Sequence, residues 1–322
     1  MPISSPFNPS SPQAQAISNL FILTLVIGTA ITLLILGLVL YASFRYRSRP
    51  GQGEPRQVFG HRQLEIGWTL APALVLAWLL ALTINTMRIA DPPVQPASGL
   101  GADPPAQQSQ PDLVVVAQQW WWTVRYPQAE VVTANEIHIP VGKRLLMRLE
   151  SDDVIHDFWV PQVGRKMDAT PGHPVLLWIE VDRPGTYLGA CSEYCGVQHA
   201  WMRLRVMAQP QGEFDAWLAQ QQQVPAAPAG GETARGAQLF QDKTCVNCHA
   251  IAGTQAEARV GPDLTHVASR ETLGAGVLEN TEANMARWLK DPQAVKPGNH
   301  MPDMRLTDAE VRALTAYLET LK

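Results

Sequence analysis

Residues 20–41 and 66–87 contain no charged side chain, and these two runs limit what the chain can fold into more than any other feature. Each is long enough to cross the roughly 30 Å of bilayer hydrocarbon as a helix. Inside hydrocarbon every backbone N–H and C=O must be paired within the segment, so a helix is the form open to a single run. The pattern predicts two spanning helices, at about residues 17–42 and 65–90 of a hairpin covering 1–91. The loop between them carries Arg45, Arg47, Arg49, Arg56 and Arg62, while residues 1–19 hold no lysine or arginine and the first basic residue after Arg88 is Arg125. By the positive-inside rule the loop is cytosolic and both termini lie outside. No basic region precedes the first apolar run, so it reads as a retained helix rather than a cleaved signal.

A length of 322 residues leaves room for two small domains beyond the hairpin. The formal charge of −4, with no basic run outside the cytosolic loop, argues against nucleic acid as a partner. Residues 92–111 are rich in proline, glycine and glutamine and read as an irregular connector. The runs LVVVA, WWWTV, EIHIP, RLLMRLE, VLLWIEV, TYLGA and RLRVMA then follow, separated by turn residues, which predicts a β-sandwich over 112–222 with a short trailing helix, EFDAWLAQQQQ. VPAAPAGG, within 223–231, reads as a flexible hinge stiffened by proline. Residues 232–322 are helical in pattern, ending in a helix with a capping box from Thr307 and Glu310 and an apolar face of Val311, Leu314, Leu318 and Leu321.

Within the predicted sandwich, CSEYCGVQHAWM gathers Cys191, Cys195, His199 and Met202 on one loop between the last two strands. Thiolate, imidazole and thioether are the donors that select copper. Two cysteines so close fit a pair of thiolates bridging two copper ions. Such a pair needs a second histidine, and His156 in SDDVIHDFWVP is the candidate from a distant strand. Structural zinc, which favours CxxC pairs in twos, and a Cys191–Cys195 disulfide remain alternatives.

Cys245, Cys248 and His249 form CVNCH, the pattern for covalent attachment of haem c, with His249 as proximal iron ligand. A distal methionine would give the raised potential useful for passing electrons onward. KPGNHMPDM offers Met301 and Met304, and also His300. With both pairs used in cofactors, no cysteine is left for a structural disulfide. Trp120 and Trp122 would share one face of a strand with Trp121 opposite, and packing alone could explain two of the three. Glu65, in HRQLEIGW at the start of the second helix, could be an ordinary carboxylate favoured by the helix N-terminus.

QQWWWTVRYP, SDDVIH, GRKMDATPGHP and CSEYCGVQHAWM, in that order, resemble the copper-binding subunit II of haem-copper cytochrome c oxidases, over about residues 15–220. Residues 232–322 resemble a class I cytochrome c domain, and together the two resemble the caa-type fusion. The resemblance implies a multidomain membrane protein: a two-helix transmembrane hairpin, a cupredoxin-like β-sandwich and an all-α class I cytochrome c domain. It implies a dinuclear CuA centre on His156, Cys191, Cys195, His199, Met202 and the Glu193 carbonyl, with the Glu193 side chain facing a magnesium ion shared with subunit I. It implies haem c on Cys245, Cys248 and His249 with Met301, which precedes a proline, as distal ligand. Trp120 maps to a surface aromatic where electrons enter above CuA, and Glu65 to the mouth of a proton-uptake path. Asp152, Asp153 and Asp157 surround His156, and the resemblance implies that acidic groups of this domain dock a positively charged cytochrome c, here either an external one or the tethered haem domain.

The expected role is electron input to a proton-pumping terminal oxidase of a bacterial inner membrane, with the copper and haem domains on the outer side. Subunits I and III, an external cytochrome c or other donor, and membrane lipid are the implied partners. The electron-input subunit of a CuA-containing nitric oxide reductase, and a membrane-anchored redox shuttle, are the alternatives. Quinol oxidase subunit II fits less well, since that relative lacks the copper cysteines.

Overall fold

The computed structural model describes residues 5–47, 49–51, 53–54, 57–90 and 110–322; Arg56 and nearly all of the expected connector at 92–111 fall outside them. The chain divides into two compact units, residues 1–14 with 93–322, and residues 15–92.

The second unit consists of the helices α1 (Pro12–Arg45) and α2 (Arg62–Ala90), whose most apolar stretches bury nothing within the protein. A helix that is apolar all round and unburied needs a non-aqueous environment. α1 starts at Pro12 rather than near residue 17 because Ser11 caps it: the Ala14 N–H donates to Ser11 Oγ, and proline suits the first helical position. In α2, the His61 N–H donates to the Glu65 carboxylate and the Leu64 N–H to His61 Nδ1, so Glu65 caps its own helix.

In the first unit, ten strands form two five-stranded sheets packed as a sandwich. One sheet is ordered β3 (Val131–Ala134), β2 (Trp121–Tyr126), β1 (Leu113–Gln118), β5 (Leu145–Ser151), β8 (Val175–Ile179); the other is β4 (Glu136–Pro140), β10 (Arg203–Gln209), β9 (Gly185–Cys191), β6 (His156–Trp159), β7 (Met167–Ala169). The pairs β1·β5 and β4·β10 are parallel and the rest antiparallel. In β10, strict alternation sends Leu204, Val206 and Ala208 inward, as period-2 patterning requires. The short strands β3, β6 and β7 are missing from the apolar runs because they are too short and mixed to carry a pattern.

The Tyr126 hydroxyl donates to the His138 carbonyl at 2.8 Å and accepts the His138 N–H at 2.7 Å, tying β2 to β4 across the sheets. The His138 ring stacks on Trp217 of α3 (Gln211–Gln221) at 4.0 Å and 7°, which seats the trailing helix. Residues ahead of α1 join the sandwich as well: the Ser10 N–H donates to Gln162 O, the Asp182 N–H to Ser10 O, and Ser11 Oγ to Val163 O.

The C-terminal part contains α4 (Gly231–Asp242), α5 (Glu282–Lys290), the single turn α6 (Pro292–Val295) and α7 (Asp308–Leu318), with a small ribbon of β11 (Thr272–Leu273) and β12 (Leu278–Glu279). Its core joins Phe240 of α4 to Met285 and Leu289 of α5 and Leu314 and Leu318 of α7. The Thr307/Glu310 capping box forms as the sequence predicts. α4 crosses α7 at Gly236, where a Cβ would lie 2.0 Å from the Ala313 carbonyl oxygen, so only glycine permits the contact. Of the expected hinge, Val224 touches Gly253 of the C-terminal part, so this end of the segment is packed rather than free.

Burial draws the pKa of His138 down from 6.5 to about 4, although its bond to Gln209 pulls the other way. Below pH 6.5 the unfolded chain binds a proton that the folded chain refuses until about pH 4, so this histidine makes stability fall as pH drops through that window. The loss should reach about 3 kcal/mol at its lower end, and His138→Gln should flatten that part of the stability profile in acid-dependent thermal melts.

Candidate metal centre

The copper-loop candidates converge because β9 and β10 are adjacent antiparallel strands. Cys191 ends β9, and its N–H donates to the Met202 carbonyl at 2.9 Å, closing the base of loop 192–202. Across the other edge of β9, Phe158 pairs with Cys191, which brings β6 and its first residue, His156, beside the loop. Gly189 allows this close approach: a Cβ there would stand 2.8 Å from the Trp159 carbonyl oxygen and 2.9 Å from Leu204. Trp122, fully buried, packs under the site against His156 and Phe158, with ring centroids at 6.2 and 5.9 Å.

Cys191 Sγ and Cys195 Sγ are 3.7 Å apart, well beyond the roughly 2.05 Å of a disulfide. His156 Nδ1 lies 3.8 Å from Cys191 Sγ, and His199 Nδ1 lies 3.7 Å from Cys195 Sγ on the other side. Met202 Sδ, fully buried, is 3.9 Å from Cys195 Sγ, and the Glu193 carbonyl oxygen is 3.2 Å from Cys191 Sγ. Glu193 itself is exposed. Two imidazoles, two sulfurs, a thioether and a carbonyl thus surround one small volume. Thioether is a donor of copper sites and not of the structural zinc sites that cysteine pairs otherwise suggest.

The electrostatics suit a cation. The neighbouring Cys195 thiol, and then His156, hold Cys191 well below the usual thiol range, while the bond with Cys191, and then burial, push Cys195 up. His156 Nε2 donates to Asp153 at 2.8 Å, which turns Nδ1 toward the sulfurs. Burial alone would raise the Asp153 carboxyl, but bonds from His156 and from the Val154 and Gln119 N–H groups hold it below its ordinary value.

Asp153 is therefore a support for His156, and Asp157 is buried, with burial and then Asp168 raising its pKa to about 7. Burial of Asp157 corrects the expectation that it belongs to an exposed docking face, whereas Asp152, bonded to Gln118, and Asp153 both lie on the surface. Lys166, Asp168 and His173 line a shallow pocket with Asp157, outside the ligand set.

Trp120 also departs from expectation. It is only 8% exposed rather than a surface aromatic. Its Nε1 donates to the Cys195 carbonyl at 2.9 Å, Gln119 Nε2 donates to the same oxygen at 2.8 Å, and its ring lies 4.8 Å from that of His300. Gly196 makes room: its φ is +117°, and a Cβ there would stand 2.9 Å from the indole. His300, which the sequence offers beside the two methionines, packs against Trp120 at the cavity wall.

An open, largely apolar cavity lies among the C-terminal helices. Cys245, Cys248, His249 and Met301 line it, and so do Trp120 and Trp121 of the sandwich; Met304 packs against the helical core without lining the cavity. His249 Nδ1 donates to the Pro262 carbonyl at 2.7 Å, leaving Nε2 as the free ligand atom. Gly261 lets the ring fit, since a Cβ there would lie 2.6 Å from it. Two thiols, an imidazole and a thioether around an apolar cavity fit a covalently attached haem.

Comparison with known proteins agrees along the whole chain. The family described as cytochrome c oxidase subunit II, transmembrane domain, matches residues 6–85, and its periplasmic-domain counterpart matches residues 128–209. The cytochrome c family matches residues 233–322. Cytochrome c oxidase subunit 2 of Alkalihalophilus pseudofirmus is 35% identical over 318 residues, 98% of this chain and 90% of that one. The chain belongs to the cytochrome c oxidase subunit II family.

The Bacillus subtilis cytochrome c oxidase subunit 2 is 32% identical over 88% of this chain and 82% of its own length. The crystal structure of the periplasmic domain of cytochrome oxidase subunit II of Bradyrhizobium japonicum covers 35% of this chain and 95% of its own, at 29% identity and a TM-score of 0.33. The chain is a two-pass membrane subunit of an oxidoreductase complex, with a fused C-terminal cytochrome c domain. Its families imply CuA, haem c and a subunit I partner.

Gln119 and Gly196 are site residues that motif reading missed, and Asp153 is one whose role it missed. The C-G step of CSEYCG could have signalled a left-handed turn, but nothing local marks Asp153 as a histidine partner. Removing such a partner characteristically weakens metal binding by about 10–100-fold. Asp153→Ala should therefore lose copper to a competing chelator at correspondingly lower chelator concentration, with the fold intact by circular dichroism.

Proposed function

We propose that the chain accepts electrons at its haem domain and passes them through the CuA loop to haem a of subunit I, for oxygen reduction coupled to proton pumping. The observation that carries the reading is the meeting of Cys191, Cys195, His199, Met202 and the Glu193 carbonyl of one loop with His156 of β6. Bound there, a copper pair would supply a one-electron centre that needs little rearrangement between redox states, because β6, β9 and β10 fix its ligands before metal arrives.

Cys245 and Cys248 would attach the haem, with His249 and Met301 as axial ligands, and Met301 is favoured over Met304 by its place in the cavity wall. Trp120 would connect the two centres, since it lines the haem cavity and donates to the backbone of Cys195. The exposed Glu193 carboxylate would reach the interface with subunit I, where a magnesium ion would complete its partners. Glu65 would stand at the mouth of a proton path, exchanging its bond to the His61 N–H for a proton relay.

The outward orientation of the copper and haem domains, in a bacterial inner membrane, is supported by the arginines of the loop after α1. It is also supported by the bonds from Ser10 and Ser11 to the sandwich, which put the N-terminal segment on the same side as the copper domain. Subunit III and an external cytochrome c complete the proposed partners. The alternative of a nitric oxide reductase input shares these residues and differs in the substrate reduced. A lone shuttle would not need the second helix.

Purified with its membrane partners, the protein should show a mixed-valence dinuclear copper EPR signal beside low-spin haem c, and should consume oxygen; a mononuclear copper signal would reject the reading. Trp120→Ala should slow electron transfer from haem c to copper by at least about tenfold while leaving both spectra unchanged. Glu65→Ala should slow turnover with copper reduction unaffected, and unaltered turnover would remove Glu65 from the proton path.

A further inference from the structure

The haem part and the copper part meet through charged groups that are buried on both sides. Glu136 of β4, only 2% exposed, accepts the N–H groups of Glu271 and Thr272 at 3.0 and 2.9 Å and the Thr272 hydroxyl at 2.9 Å. Arg205 of β10 pairs with Glu271 at 2.5 Å. The Arg203 N–H donates to Ala275 O, and Gln198 of the copper loop donates to Pro297 O. Glu136 has its satisfied partners only while the two parts touch, and a buried carboxylate without them is costly.

Lys296, in the loop that carries Met301, is the most unusual member of this contact. It is 4% exposed, and its ammonium donates to the Trp120 carbonyl and the Gly274 carbonyl, both at 3.0 Å. Among the described residues it has no carboxylate partner, and burial lowers its pKa to about 7. An ammonium has three donors, and here carbonyls take two. Lys296 also lines the haem cavity, beside Trp120 and His300. Haem carries two propionate carboxylates, and a buried cation short of an anion on the cavity wall is where one would be stabilised.

We propose that Lys296 is a positioning residue that docks the haem domain onto Trp120 and pairs with a haem carboxylate at that face, holding the haem domain in one registered position on the copper domain. The inference rests on the reading of Trp120 as the link between the centres. So held, the residues of the two sites would let one electron pass from a bound, reduced haem to a bound copper pair without a domain movement, and Trp120, covered by the haem domain, is closed to a soluble donor. An external donor therefore delivers to the haem domain.

The test uses the whole oxidase. In Lys296→Met the haem c midpoint potential should fall, because removing a cation from the wall of the haem cavity favours the ferric state. Transfer from haem c to copper after pulse reduction should slow about tenfold. The copper EPR signal should be unchanged, and hydrogen exchange at the Glu271 and Thr272 amides, which Glu136 protects in the docked state, should quicken. An unchanged potential together with unchanged transfer would overturn the proposal. Should Lys296→Met fail to incorporate haem, the salt bridge supplies the second test. Arg205→Glu and Glu271→Arg should each speed exchange at the Thr272 amide and make transfer depend on solvent viscosity, and the double swap should restore both. Wild-type transfer that already slows with added glycerol would overturn the fixed docking. A wild type lacking the mixed-valence copper signal would instead defeat the functional reading itself.

Discussion

The hydrogen bond from the Cys191 N–H to the Met202 carbonyl closes the loop on which everything else in this protein depends. Backbone pairing of β9 with β10 brings the first and last metal-site residues of a twelve-residue run together at its base. The remaining donors then need only turn inward. Because the closure is made by backbone in a sheet, the ligand positions do not wait for metal. The pairing of Phe158 with Cys191 adds His156 from a strand far away in sequence.

Trp120 is the second consequence of that loop. The Cys195 carbonyl points out of the copper site and accepts both the indole N–H and the Gln119 amide, and Gly196 supplies the room. On the other side, Lys296 and His300 hold the same tryptophan from the haem domain. Trp120 is thereby enclosed in the joint, bonded through its indole to the loop and through its carbonyl to Lys296.

Much of this was legible in the chain. The uncharged runs mark the hairpin, CVNCH marks two thiols and an imidazole that line the C-terminal cavity, and the run from Cys191 to Met202 marks the loop of soft donors, since each has a local signature. The short strands β3, β6 and β7 were not legible, because three or four residues cannot establish a period. Asp153 was legible as an acid but not in its role: its bond to His156 is a matter of how the β5–β6 loop turns. Glu136 and Lys296 carried no signal at all, as an isolated charge in a strand or loop reads as solvated surface.

The sequence by itself determined which cofactors this protein can hold, because covalent haem attachment and soft-metal ligation depend on residue type and short spacing. The tertiary structure alone decided how the cofactor sites are connected. His156 meets Cys191 through sheet register, and Trp120 meets Lys296 through two domains closing on each other. Contacts between residues 35 or 176 positions apart have no period and no motif, and only the burial of the groups that make them reveals that they matter.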